Sequence, residues 1–158
     1  MKRNQKGAKR RRQVLRVWTR EQARAALPYV SSIVGSLREH WLDAQSHRRA
    51  LGRLSGQKGR PDRACLIAQD EEGRAVREAD ARFQQTLEEL QALDIYCLDP
   101  SRGQALIPFV NGAQLAWFVY DYFDAEPLGF WRFHSDPFET RRPIAELRED
   151  PEGNTRVV

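Results

Sequence analysis

The residues whose types could do chemistry gather near the C-terminal end of the chain. His134, Asp136, Glu139, Arg141 and Arg142 follow Trp131 closely, Phe138 lies among them, and Glu126 precedes them. A histidine among carboxylates can move protons, and an arginine can hold an anion through two parallel N–H bonds. Glu126, Trp131, His134, Arg141 and Arg142 therefore form a candidate ligand or anion corner. No nucleophile with a matching base, no phosphate-binding glycine loop and no zinc-ligand spacing accompanies them. No residue is assigned a catalytic role on this basis. A surface loop whose arginines pair with acids on the hairpin is the simpler reading, ahead of an anion pocket and further ahead of catalysis.

Two other sets of ligating side chains carry less. His40, Asp43 and His47 stand at i, i+3 and i+7, so one helix face could present all three to a metal. Spread over two turns they need help from a second helix to enclose an ion, and solvated polar residues beside a packing seam are the preferred reading. Cys65 and Cys97 are distant in sequence and make no metal-type pair. Neither a metal nor a cofactor is expected.

The charge is uneven. The 158 residues carry a net charge of +4. Residues 1–16 hold Lys2, Arg3, Lys6, Lys9, Arg10, Arg11, Arg12 and Arg16 without an acid, which is +8, so the rest of the chain is −4. Like charges with no apolar residues to offset the cost of ordering predict a disordered basic arm over residues 1–13. Such an arm suits RNA, a ribonucleoprotein or another polyanion, with a solubilising tail as the plainer alternative. No apolar run nears the ~20 residues that cross a bilayer, and no apolar core follows the basic start, so neither a membrane span nor a signal peptide is expected. Two unpaired cysteines without an export signal fit reduced thiols in the cytoplasm.

The elements that would position these groups are legible. Val14 to Trp18 alternates as a short strand. Thr19 and Gln22 have capping-box spacing and open a helix that runs to about Leu54. Ala23, Leu27, Val30, Val34, Leu37, Trp41 and Ala44 recur every three or four residues, a seam for a partner helix, with Leu37 and Trp41 near the middle of the contact. Pro28 should kink this helix without ending it. Gly52, Gly56, Gly59 and Pro61 mark a turn rich in cations, among them Arg48, Arg49 and Arg53. A second helix, capped by Asp62, should run to about Ala92 and present Val76, Ala79, Phe83, Leu87, Leu90 and Leu93 to the first.

After Leu93 the apolar period falls to two, which predicts strands over 95–98, 105–110, 115–122 and 128–134. Asn111-Gly112 is the strongest hairpin signal, and Pro108 places its strand at an edge or a bulge. Alternation sends Trp117 and Val119 to one face, and Phe118 and Tyr120 to the other. One face should meet the helices. The other should be covered by the N-terminal strand or the tail, or serve a protein partner or a second copy of the chain. Residues 145–158 are charged and should form a flexible tail.

The capped Thr19-to-Pro28 helix start, the long hairpin, Glu126-Pro127-Leu128-Gly129-Phe130-Trp131 and Arg141-Arg142-Pro143 together resemble the domain of unknown function 2203 family, over about Val14 to Ile144. The resemblance implies a small bacterial cytosolic protein and supplies architecture rather than an activity. Arg132 stands where relatives often carry histidine, Ala125 where a glycine is usual, and Tyr122 where a tryptophan is expected.

The fold expected is α+β: a long antiparallel helical hairpin packed on a small antiparallel sheet, as one domain over 14–144. The function expected is non-enzymatic binding. The arm (Lys9, Arg10, Arg11, Arg12) and the hairpin tip (Arg48, Arg49, Arg53) would contact a polyanion, with small-ligand binding or catalysis at the 131–142 corner as the alternative.

Overall fold

The computed structural model describes residues 15–149 and 155–157. The predicted arm, with Lys9, Arg10, Arg11 and Arg12, and Val14 of the predicted first strand lie outside the described residues. Three helices come first: α1 (Arg20–Ala25), α2 (Leu27–Ser55) and α3 (Arg63–Gln91). Seven strands follow: β1 (Tyr96–Asp99), β2 (Gln104–Asn111), β3 (Gln114–Asp121), β4 (Phe130–Phe133), β5 (Arg142–Pro143), β6 (Leu147–Glu149) and β7 (Thr155–Val157).

Local chemistry sets the helix ends. The Thr19 hydroxyl accepts from the Gln22 N–H and the Gln22 side chain accepts from the Thr19 N–H, each at 3.1 Å, so the capping box is closed in both directions. The single helix expected across Pro28 is two. Pro28 has no N–H for the carbonyl of Arg24, and the chain turns at Ala26 before the Val30 N–H resumes the ladder on the Ala26 carbonyl. The Asp62 carboxylate accepts from the Cys65 N–H at 2.8 Å and starts α3. At the far end Asp94 takes the left-handed conformation, φ 57°, and its carboxylate accepts the Arg16 N–H at 2.9 Å.

The seam between α2 and α3 is strongest at the base of the hairpin. Val30, Val34, Leu37 and Ala44 are buried as the spacing predicts, Ile33 joins them, and Ala79 and Leu90 are buried from α3. Trp41 is half-buried and sits in neither core cluster. No described residue from 45 to 78 is buried. That outer stretch is held by polar links instead. Arg48 Nη2 donates to both carboxylate oxygens of Asp80, at 2.5 and 2.6 Å. His47 lies between Glu72, at 2.7 Å, and Asp43, at 3.3 Å, and Asp43 also meets Arg82 at 3.3 Å.

The sheet runs β5-β4-β3-β2 with antiparallel pairing. Beyond β2 the edge is shared. β1 pairs with its start, β7 meets Asn111 at its end, and β6 pairs with β7. Pro108 falls between these two neighbours, where its missing N–H costs no ladder bond, and its pairing with β3 is unbroken. The Trp18 N–H donates to the Pro108 carbonyl at 2.8 Å. The expected N-terminal strand is thus a strap tied to that edge by one backbone bond rather than a ladder. Within the stretch expected to be a flexible tail, from residue 145, the described part carries β6 and β7, and Leu147 is buried.

The β2–β3 connection is a two-residue loop, but the loop is Gly112-Ala113 rather than Asn111-Gly112, since Asn111 pairs with Gln114. Gly112 has φ 62° and Ala113 has no positive φ, the sign pattern of a type II′ turn. Asn111 sits on the last rung, buried.

Phe109, Phe118, Tyr120 and Trp131 face the helices and are fully buried with Ile107. Leu106, Trp117 and Val119 form a smaller cluster on the outer face with Leu15 and Leu98. The alternation read from the sequence therefore assigns both faces correctly.

Two stability outcomes follow from this arrangement. Leu37→Ala should cost ~3–4 kcal/mol in denaturant unfolding, because the side chain is fully enclosed, whereas Trp41→Ala should cost less than ~2 kcal/mol. Equal losses would place Trp41 inside the core. Gly112→Val should lower the unfolding midpoint, since a β-branched residue resists positive φ, while Ala113→Val should be milder; the reverse order would contradict the turn assigned here.

Candidate functional site

The corner residues do not share one cavity. β4 alternates, so Trp131 and Phe133 face the helices while Arg132 and His134 face outward. Trp131 is fully buried and its indole N–H donates to the Pro143 carbonyl at 3.2 Å. Arg142 binds Asp136 through Nε and Nη2 at 2.8 and 2.9 Å, and its guanidinium lies over the rings of Trp131 and Phe133. Asp136 also accepts the Phe133 N–H at 2.9 Å. Those bonds hold its carboxyl below the usual carboxylate range, the Arg142 hydrogen bond contributing most. Arg141 donates to the carbonyls of Phe138 and Thr140 and lines a cavity with Leu98, Asp99 and Arg102. Glu126 is exposed in the β3–β4 turn. The arginine-to-acid pairing expected of this loop exists, but the acid is Asp136 within the loop rather than one on the hairpin.

His134, at the start of this loop, instead lines a cavity on the outer face of the sheet. Leu15, Tyr96, Leu106, Leu115, Trp117, Arg132 and His134 line about 470 Å³. Arg132 lies opposite Trp117 in the β3–β4 register, so the two side chains share one face. The Trp117 N–H donates to His134 Nδ1 at 3.1 Å, which leaves Nε2 as the N–H donor of the neutral ring. Tyr96 meets Trp117 edge to face at 5.3 Å. Arg132 is buried, with 8% exposure, and donates from Nη1 to the carbonyls of Asp136 and Pro137. Its Nε has no partner among the described residues. Arg132 is the cavity-lining residue that sequence reasoning passed over. Its signal was present, because it alternates with Trp131 on a strand whose opposite position is Trp117.

At the other end of the molecule lies the hairpin tip. Arg49, Arg53, Lys58, Arg60 and Arg63 are exposed, and no ion pair involves them among the described residues. Arg48, expected to act with them, is occupied by Asp80. Asp62 is committed to the cap of α3, and Leu66 and Ile67 stand about half exposed beside it. At ~1.5 Å per residue, α2 separates this tip from the base by roughly 40 Å. The strap at Leu15 joins the base, so the tip and the root of the basic arm are at opposite ends.

The remaining reactive groups are subdued. Burial, with a smaller contribution from Asp99, pushes the Cys97 thiol up to about 11, so it holds its proton and is a poor nucleophile at neutral pH. Among the described residues no group of histidine, cysteine and carboxylate side chains could hold a metal, and His40 stands apart from the His47 cluster.

A family model described as an uncharacterized conserved protein, DUF2203, matches residues 16–144. The chain belongs to that family. No curated protein and no solved structure matches it.

The lowered Asp136 sets the sign of an acid dependence. A depressed folded-state carboxyl stabilises the fold above the ordinary value near ~4 and loses that contribution as pH falls through its lower folded value. Asp136→Asn should therefore lower the thermal midpoint at pH 7, and the gap from the unchanged chain should narrow as pH drops below ~4. A gap independent of pH would remove the Asp136–Arg142 pair as its cause.

Proposed function

We propose that this chain is a non-enzymatic binding protein of the bacterial cytoplasm that contacts RNA, or a ribonucleoprotein, through the hairpin tip and the basic arm. The observation that carries this reading is the division of cations along the hairpin. Where α2 and α3 run side by side, Arg48, Arg74 and Arg82 each meet an acid. At the turn, five cations point to solvent without one. Exposed cations without an acid partner have no ion pair to break and remain available to phosphates. The sequence adds the arm, whose charge has the same sign, while the body between the two is net acidic. A polyanion would be attracted at both ends and repelled in the middle, which favours a ligand long enough to span the hairpin or two separate ligands.

Binding of this kind is mostly counterion release, so affinity should fall steeply with salt and depend little on sequence. Deleting residues 2–12 should weaken binding to mixed RNA and reduce the slope of log K against log salt. Replacing Arg49, Arg53 and Arg60 by glutamine should reduce it further, by ~2 for the loss of three phosphate contacts to single strands. Arg48→Gln should leave the slope unchanged, because that side chain is already held by Asp80. Equal and weak binding by all four proteins at low salt would overturn the reading and leave a protein partner in its place.

A further inference from the structure

We propose that the cavity on the outer face of the sheet binds a small carboxylic acid with a flat apolar body, its carboxylate directed to Arg132 and His134. The apolar side chains Leu15, Leu106, Leu115 and Trp117 dominate the lining, and no carboxylate takes part in it. Its volume of about 470 Å³ lies within the range of small-molecule sites. Trp117 is held on two sides, by the edge of Tyr96 and by its bond to His134, so a planar surface is fixed before any ligand arrives.

Arg132 and His134 bring N–H donors to this cavity. His134 Nε2 carries the ring proton because Nδ1 is taken by the indole. Arg132 makes no ion pair among the described residues. Asp136, the carboxylate closest in sequence to Arg132, has both of its oxygens engaged by Arg142. Among the described residues the buried guanidinium of Arg132 hydrogen-bonds only to the neutral carbonyls of Asp136 and Pro137, and its Nε has no partner. A buried guanidinium held only by neutral acceptors is costly, and an anionic ligand would add a charged acceptor for the N–H that has no partner. The basic arm is a poor occupant although it enters beside Leu15, since residues 1–13 bring seven cations and no apolar run towards a site that is already positive.

The test uses the full chain with 2-naphthoate and its neutral counterpart 2-naphthamide, followed by titration calorimetry and by the tryptophan fluorescence of the protein. The expected result is one saturable site for naphthoate and at least ~10-fold weaker binding of the amide, a difference worth ~1.4 kcal/mol. Leu15→Trp fills the mouth of the cavity from a strap that belongs to no ladder, and should weaken naphthoate by at least ~10-fold. Arg132→Gln should erase the preference for acid over amide while apolar binding persists. Should that variant fail to fold, as judged by circular dichroism, the acid-to-amide ratio and the Leu15→Trp result decide alone. Equal affinity for acid and amide, an unchanged Leu15→Trp variant, or no saturation at ~1 mM would each overturn the proposal. Its outcome is independent of the salt-dependent RNA binding, which does not involve this cavity.

Discussion

Burial of one aromatic layer against the base of a helical hairpin is the constraint on which the rest of the molecule depends. Phe109 and Phe118 stack at 4.0 Å, Trp131 meets Phe109 edge-on at 6.0 Å, and all three are fully buried. Large rings at such spacing contribute both area and specific geometry. They fix which way β2, β3 and β4 face, and hence which side chains the same strands present outward. Tyr120 adds a polar tie, its hydroxyl donating to Ser31 of α2 at 2.8 Å. Once the inner face is committed, Trp117, Arg132 and His134 have only the outer one.

The hairpin reflects the same division. Where it touches the sheet it is packed with Val30, Ile33, Val34 and Leu37, and where it projects it is laced by ion pairs and small residues. A projecting pair of helices has only each other to exclude water. Ala44 and Ala79 allow a close approach, and charged neighbours can remain solvated. The tip is therefore cheap to vary without loss of the fold, and its cations can serve a partner rather than the core.

Much of this was legible in the sequence because the information is local. Thr19 with Gln22, Asp62 before α3, and the three-four spacing from Ala23 to Ala44 each act within a few residues. The alternation in β3 predicted both faces for the same reason. What escaped depends on distant partners. The strap at Trp18 and strands β6 and β7 exist because β2 has open edge positions, which no local pattern announces. Asp94 in a left-handed conformation occupies a place where glycine is the usual signal. The candidate corner was half right in chemistry: Arg142 and Asp136 do pair, but strand alternation parts Trp131 from His134, and Arg132 was seen only as a departure from a family pattern. The burial of that arginine becomes visible only when Trp117 is placed across from it.

Hydrogen–deuterium exchange of the full chain, with and without saturating RNA at low salt, tests the central division of labour most directly. The arrangement described here predicts added protection in residues 1–16 and across the tip, about 49–63, with the amides of β2 and β3 unchanged. Protection confined to the sheet, or none at either basic region, would contradict it.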